Sequence, residues 1–155
     1  MTPAIKLLKN KKIKHTVHQY QHDETEGSYG QEAANKMGVD SNKIFKTLIV
    51  SFGDKTLAVA IIPVKNTLSM KKVAKVMQSK KVTMAAVDEV LRSTGYILGG
   101  VSPLAQKKKL TTVIDESAQS FESIYVSAGQ RGLEVELSPH ALVELTQARV
   151  DAICN

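Results

Sequence analysis

The sequence predicts an α+β fold in which a mixed, barrel-like β-sheet is surrounded by helices. Two arms rich in β-branched and aliphatic residues, 44–52 and 56–64, flank Gly53-Asp54-Lys55 and form the clearest hairpin in the chain. Further short strand and helix signals follow without the regular alternation of a βαβ series. With 155 residues and 43% hydrophobic composition, the chain has the size and apolar content for one core, so a single domain over residues 1–155 is expected.

Taken in order, Thr2 and Pro3 read as an N-cap and a first-turn proline for a short amphipathic helix carrying Ala4, Ile5, Leu7 and Leu8. Residues 15–20 have strand character. Ser28-Tyr29-Gly30-Gln31 has capping-box spacing ahead of a helix over 32–37, which Gly38 is placed to end, and Asp40 suits one more short turn. The hairpin comes next, its apolar runs implying burial on both faces. Segments 68–78 and 84–93 carry helical periodicity, the second with Thr83 as cap and Gly95 as stop. Three short strands are expected at 111–114, 121–126 and 133–137, the last two separated by the turn Gly129-Gln130-Arg131-Gly132. Ser138-Pro139 opens a final helix over 138–153.

Bulk charge narrows the partners. Against 15 acidic residues stand 21 Lys and Arg, net +6, which favours polyanions such as nucleic acid. With no Trp, three Phe and four Tyr, a base-stacking sheet is poorly equipped, so shape and phosphate recognition are favoured. A lone cysteine, Cys154, excludes an internal disulfide and suits a reducing compartment. The first residues alternate lysines with aliphatics and lack the apolar stretch of a signal peptide, and no long apolar run exists, so a cytoplasmic location without membrane association is expected.

Two features invite chemistry. In Leu98-Gly99-Gly100-Val101-Ser102-Pro103, adjacent glycines let the backbone approach a ligand and Pro103 fixes the exit. Lys46 interrupts the strand-like run Phe45-Lys46-Thr47-Leu48, where valine would serve β-structure as well. Two readings of Lys46 stay open, a snorkelling strand residue or a phosphate anchor facing the glycine loop. The loop is neither a Walker A motif nor G-x-G-x-x-G. Ser102 has no nucleophile elbow around it and suits a turn hydroxyl. On a strand His15 and His18 point to opposite faces, and with His22 they lack a carboxylate or cysteine at ligand spacing, so no metal and no cofactor are expected. Cys154 is penultimate, where fraying disfavours a preorganised thiolate. Lys71, Lys72 and Lys75, and Lys107 to Lys109, are solvated faces or backbone contacts for a nucleic acid. Arg131 and Glu134 read as a surface ion pair or as part of a site rim.

Jointly, Phe45-Lys46-Thr47-Leu48, Gly99-Gly100-Val101-Ser102-Pro103 and Ser127-Ala128-Gly129-Gln130-Arg131-Gly132-Leu133-Glu134-Val135 resemble the YbaK-type aminoacyl-tRNA deacylases, freestanding relatives of the prolyl-tRNA synthetase editing domain. The resemblance runs over residues 2–153. It implies removal of cysteine mischarged on proline tRNA, with the aminoacylated tRNA 3′ end as substrate and prolyl-tRNA synthetase as a partner. Lys46 would hold the phosphate of the terminal adenosine, and the Gly99 to Pro103 loop would hold the ester through backbone groups. The substrate's own thiol would attack the ester carbonyl and leave as a cyclic thioester, so no protein nucleophile is needed. Phe45, Tyr20, Thr47, Ser102 and Arg131 would line the pocket, with Glu134 or Glu136 as its acidic group. A non-catalytic tRNA or phosphate-binding module, and a water-activating ester hydrolase using Glu134, are the competing readings.

Overall fold

Small hydroxyl side chains start the helices. In a computed structural model describing residues 1–23 and 28–155, Thr2 caps α1 (Pro3–Asn10) by accepting from Ile5 N at 3.3 Å. Ser28 caps α2 (Tyr29–Met37) by accepting from Gln31 N at 3.3 Å, and Gln31 Nε2 donates onward to Asn35 Oδ1 at 3.0 Å. Gly38, at φ 66°, ends α2 as expected.

The strands form two ladders. In the first, β1 (Thr16–Gln19) and β6 (Ile124–Gln130) pair antiparallel on either side of β7 (Leu133–Leu137). In the second, β2 (Phe45–Ser51) and β3 (Leu57–Pro63) are the expected hairpin, with Lys46 opposite Ile62. This sheet runs β4 (Thr83–Met84), β2, β3, β5 (Thr111–Asp115), β8 (Arg149–Asp151), the last two joins being parallel. A single parallel bridge, Ile44 to Tyr125, links the ladders. The mixed, helix-flanked sheet is therefore as expected, divided in two and not closed as a barrel.

Four boundaries differ from the sequence reading. Thr83 does not cap a helix; it pairs with Ser51 as part of β4, and α4 (Val87–Thr94) begins after Ala86, whose N–H is met by Glu89 Oε1 at 3.1 Å. The final helix, α5 (Pro139–Thr146), stops at Gln147, which adopts φ 55°, and residues 149–151 become β8 because Val113 to Asp115 offer a parallel edge. Residues 116–120 form a 3-10 turn that delays β6 to Ile124, and α3 (Met70–Val76) is shorter than its periodic segment.

Strand alternation sorts side chains onto two faces. Odd positions of β2, Phe45 and Ile49, enter the main core with Val126, Val135, Val101 and Leu104. On the even face Ile44 joins a cluster under α2 with Ala33, Ala34, Tyr125, Tyr20 and Val64, while Val50 joins a cluster under α3 with Ala60, Ile62 and Val73. Lys46 sits between them. The chain's last residues are tied down, with Leu68 bridging Cys154 and Asn155 N donating to Thr67 O at 3.0 Å, so the frayed end expected at Cys154 does not occur.

Close packing at one helical glycine joins α2 to this arrangement. A Cβ at Gly30 would lie 2.5 Å from Val64 Cγ1 and 2.7 Å from Val64 Cβ, the latter an atom that no rotamer change can move away. Alanine's helix propensity would favour Gly30→Ala by up to ~1 kcal/mol, yet overpacking costs about 1–3 kcal/mol. Gly30→Ala is expected to lower stability in urea denaturation; an unchanged midpoint would mean that α2 shifts freely over β3.

Candidate active site

Lys46 is half-buried, and its Nζ makes one hydrogen bond, to Val64 O at 3.4 Å. Among the described residues it forms no ion pair. Burial pushes its pKa below the usual lysine value, with the Cys154 thiol opposing that shift. Among the described residues this cation has no structural counter-ion.

The glycine loop is anchored elsewhere. A Cβ at Gly100 would fall 2.9 Å from Gln130 Cα and 3.0 Å from Arg131 N, so the loop lies directly on the β6–β7 turn and only glycine permits that approach. Val101, Ser102 and Pro103 are buried, and Phe45 shares the main core with Val101. Ser102 Oγ accepts from Leu104 N at 3.2 Å, the turn role expected of it.

A residue not singled out in the sequence reading joins these parts. Glu32 in α2 is fully buried and accepts from Asp23 N at 2.7 Å and Arg131 Nε at 3.3 Å, with His22 Nδ1 at 2.8 Å from the same carboxylate. Burial opposes its ionisation, but these hydrogen bonds prevail and hold its pKa below the usual glutamate value. The first turns of α2 therefore reach both halves of the site, through Gly30 and Val64 to Lys46, and through Glu32 and Arg131 to Gly100. Arg131 pairs with Glu32, and the surface pair with Glu134 is corrected: Glu134 is only 2% exposed. Glu32→Ala would strand the donors of Arg131 and Asp23, and a loss of about 1–3 kcal/mol is expected in denaturant titration. A loss near zero would mean that water replaces the carboxylate.

Glu134 and Glu136 share one face of β7, as their spacing predicts, but differ in environment. Glu136 is half-buried, bonded to His18 Nε2 at 3.0 Å and Ser123 Oγ at 2.5 Å, and its pKa is lowered chiefly by Ser123. Burial alone pushes the Glu134 pKa up to about 8, and among the described residues its Oε1 has no hydrogen-bond partner. Among the described residues, buried Tyr20 Oη and Thr47 Oγ1 are without a hydrogen-bond partner as well. Tyr20 belongs with Glu134: its pKa is raised to about 12 by burial, then by the charges of Glu134 and Glu32. Thr47, by contrast, shares the opposite face of β2 from Lys46, with Phe45. Cys154 is inert for a reason other than fraying, since burial and the neighbouring Asp115 push its thiol up to about 12. His15 meets Ile13 O at 2.6 Å, and among the described residues no group of three or more His, Cys, Asp or Glu is arranged to hold a metal.

Residues 24–145 match the aminoacyl-tRNA editing domain family. The chain belongs to that family. It is 38% identical over 149 residues to the candidate Cys-tRNA(Pro)/Cys-tRNA(Cys) deacylase EbsC of Enterococcus faecalis, covering 96% of this chain and 90% of that protein. Among solved structures, the hypothetical protein APE2540 superposes with a TM-score of 0.88 at 27% identity, covering 99% of this chain and all (100%) of that one. A candidate trans-editing enzyme for prolyl-tRNA synthetase superposes with a TM-score of 0.83 at 22% identity, covering 100% and 98% of the two chains, a likeness of fold. In this editing domain, then, the first turns of α2 contact Val64, whose carbonyl binds Lys46, and Arg131, on which Gly100 rests. Among the described residues no helix is long and apolar enough to cross a membrane.

Proposed function

We propose that this editing-family protein is a trans-editing aminoacyl-tRNA deacylase, one domain over residues 1–155, that removes cysteine from Cys-tRNA(Pro) and also accepts Cys-tRNA(Cys). The observation that carries the reading is Lys46, a half-buried cation without an ion pair among the described residues, linked through α2 to a backbone loop held open by glycine. A fixed positive charge suits a terminal phosphate, and a backbone loop held by packing suits a developing oxyanion. In the proposed reaction the substrate's cysteine thiolate attacks the ester carbonyl carbon. The carbon–oxygen bond to the ribose breaks, the ribose oxygen takes up a proton from solvent, and the cyclic thioester departs and hydrolyses. Lys46 holds the phosphate, the Gly99 to Pro103 backbone orients the ester, and Tyr20 supplies a phenol that stays protonated. Prolyl-tRNA synthetase is the proposed source of tRNA selectivity, in the cytoplasm.

One observation weighs against a water-activating hydrolase. With its pKa pushed up to about 8 by burial, Glu134 is mostly protonated at neutral pH, which leaves only a minor fraction ionised to accept a proton from water. Deacylation of a panel of charged tRNAs tests the reading, with Lys46→Ala and Cys154→Ala beside the parent. Cys-tRNA(Pro) is expected to turn over in the parent and in Cys154→Ala, and to be spared by Lys46→Ala. Equal cleavage of Ala-tRNA(Pro), which lacks a thiol, would sink the thiol mechanism. Salt-sensitive tRNA binding with an unchanged ester lifetime would favour a binding module.

A further inference from the structure

The tip of the glycine loop carries an unusual pair of side chains. Residues 97–100 form a turn closed by Gly100 N donating to Ile97 O at 3.0 Å, and Gly99, at φ 90° in the third position, makes it type II. Exposed turns favour Gly, Pro, Asn, Asp or Ser at their positions. Here the first two positions are Ile97 and Leu98, 69% and 58% exposed. The turn is rigidly framed: Tyr96, buried, donates from Oη to Leu104 O at 2.6 Å before it, and Gly100 rests on the β6–β7 turn after it. Two aliphatic side chains are thus presented to solvent by backbone that packing holds still.

The stems of two basic residues pass the glycines near this pair in sequence. Arg131 Cδ lies 3.7 Å from where a Gly99 Cβ would sit, and Lys107 Cγ lies 3.2 Å from the equivalent point at Gly95. Lys107 N and Lys108 N donate to Thr94 O and Ser93 O at the end of α4, which fixes that basic run beside the turn. An apolar tip next to basic residues is complementary to single-stranded nucleic acid, whose bases also pack against apolar side chains while its phosphates seek charge. The platform is also continuous with the backbone assigned to the ester.

We propose that Ile97 and Leu98 form a stacking platform for the unpaired nucleotides that lead into the aminoacylated 3′ end, with Lys107 and Arg131 beside their phosphates. This rests on the deacylase reading and adds a division within one loop: its glycine backbone handles the ester and its tip handles the strand upstream.

The test compares the parent with an Ile97→Ser/Leu98→Ser double variant on Cys-tRNA(Pro) and on cysteinyl-adenosine, which has no upstream nucleotides. The variant is expected to raise KM for the charged tRNA about five- to tenfold, to hold kcat, and to cleave cysteinyl-adenosine like the parent. Equal impairment on both esters, or no change on either, overturns the platform. Fluorescence anisotropy with a labelled RNA tetranucleotide, ACCA, gives a readout independent of turnover: weaker binding by the variant supports the platform and unchanged binding overturns it. If the parent cleaves neither ester, the deacylase reading fails and the anisotropy comparison alone decides the platform. Loss of self-association in sedimentation, with RNA affinity unchanged, would assign the face to a second copy of the chain. Leu98→Met, which keeps the apolar surface, should retain parental RNA affinity.

Discussion

Replacing Lys46 with methionine is expected to lower kcat/KM for Cys-tRNA(Pro) by about 10²–10³, the usual consequence of removing one preorganised electrostatic group. The same change should leave stability within about 0.5 kcal/mol of the parent. The two expectations follow from one geometry. Lys46 contributes a single long hydrogen bond to Val64 O and no ion pair among the described residues, and burial disfavours its charged form. Methionine keeps the stem that packs beside Ile62 and removes only the ammonium. Deacylation kinetics and urea denaturation on the same preparations check both halves. Retained turnover would remove Lys46 from the site, whereas lost turnover with a large fall in stability would make it a structural residue.

Glu134→Gln is expected to change how stability depends on pH. Its native pKa of about 8 lies above the ordinary value of 4.5, so between these limits the folded protein holds a proton that the unfolded chain releases. With fewer protons bound in the unfolded state, stability falls as pH rises through that window and is level on either side of it. The side chain is almost wholly buried, so solvent screening is slight, and the loss between pH 4.5 and 7 is on the order of 3 kcal/mol. The carboxylates with lowered pKa, Glu32, Asp115 and Glu136, act in the opposite sense and below that window, where acid removes their contribution. Glutamine cannot ionise. Its stability should therefore gain on the parent's as pH rises from 5 to 8, read from urea midpoints at several pH values; parallel curves would show that Glu134 ionises normally.

Local chemistry made much of this legible from sequence. Thr2, Ser28 and Ser138 cap helices where a short hydroxyl before a periodic segment predicts it, and the 44–64 hairpin follows from its apolar arms. Long-range partners explain the differences. Thr83 looks like a cap until Ser51 is beside it, and residues 149–151 look helical until β5 offers an edge. Within the site, Lys46 and the double glycine were conspicuous because each departs from what a strand or turn requires locally. Glu32 was not, since an acidic residue in a first helical turn is ordinary dipole compensation. Only its burial and its bond to Arg131, 99 positions away, set it apart. The nearest sequence signal is its place beside Ala33 and Ala34, which puts a carboxylate at the start of a buried stretch.

The single bridge between the ladders bears on how the molecule breathes. Along the line where β2 meets β6, Ile44 and Tyr125 provide the one bridge among the described residues, and the cluster beneath α2 covers it. Amide protons flanking that line are therefore guarded by the docking of one nine-residue helix and not by a continuous ladder. In hydrogen exchange they should open with α2 as a local unit, at lower free energy than the β2–β3 hairpin, which requires the whole five-stranded sheet to come apart.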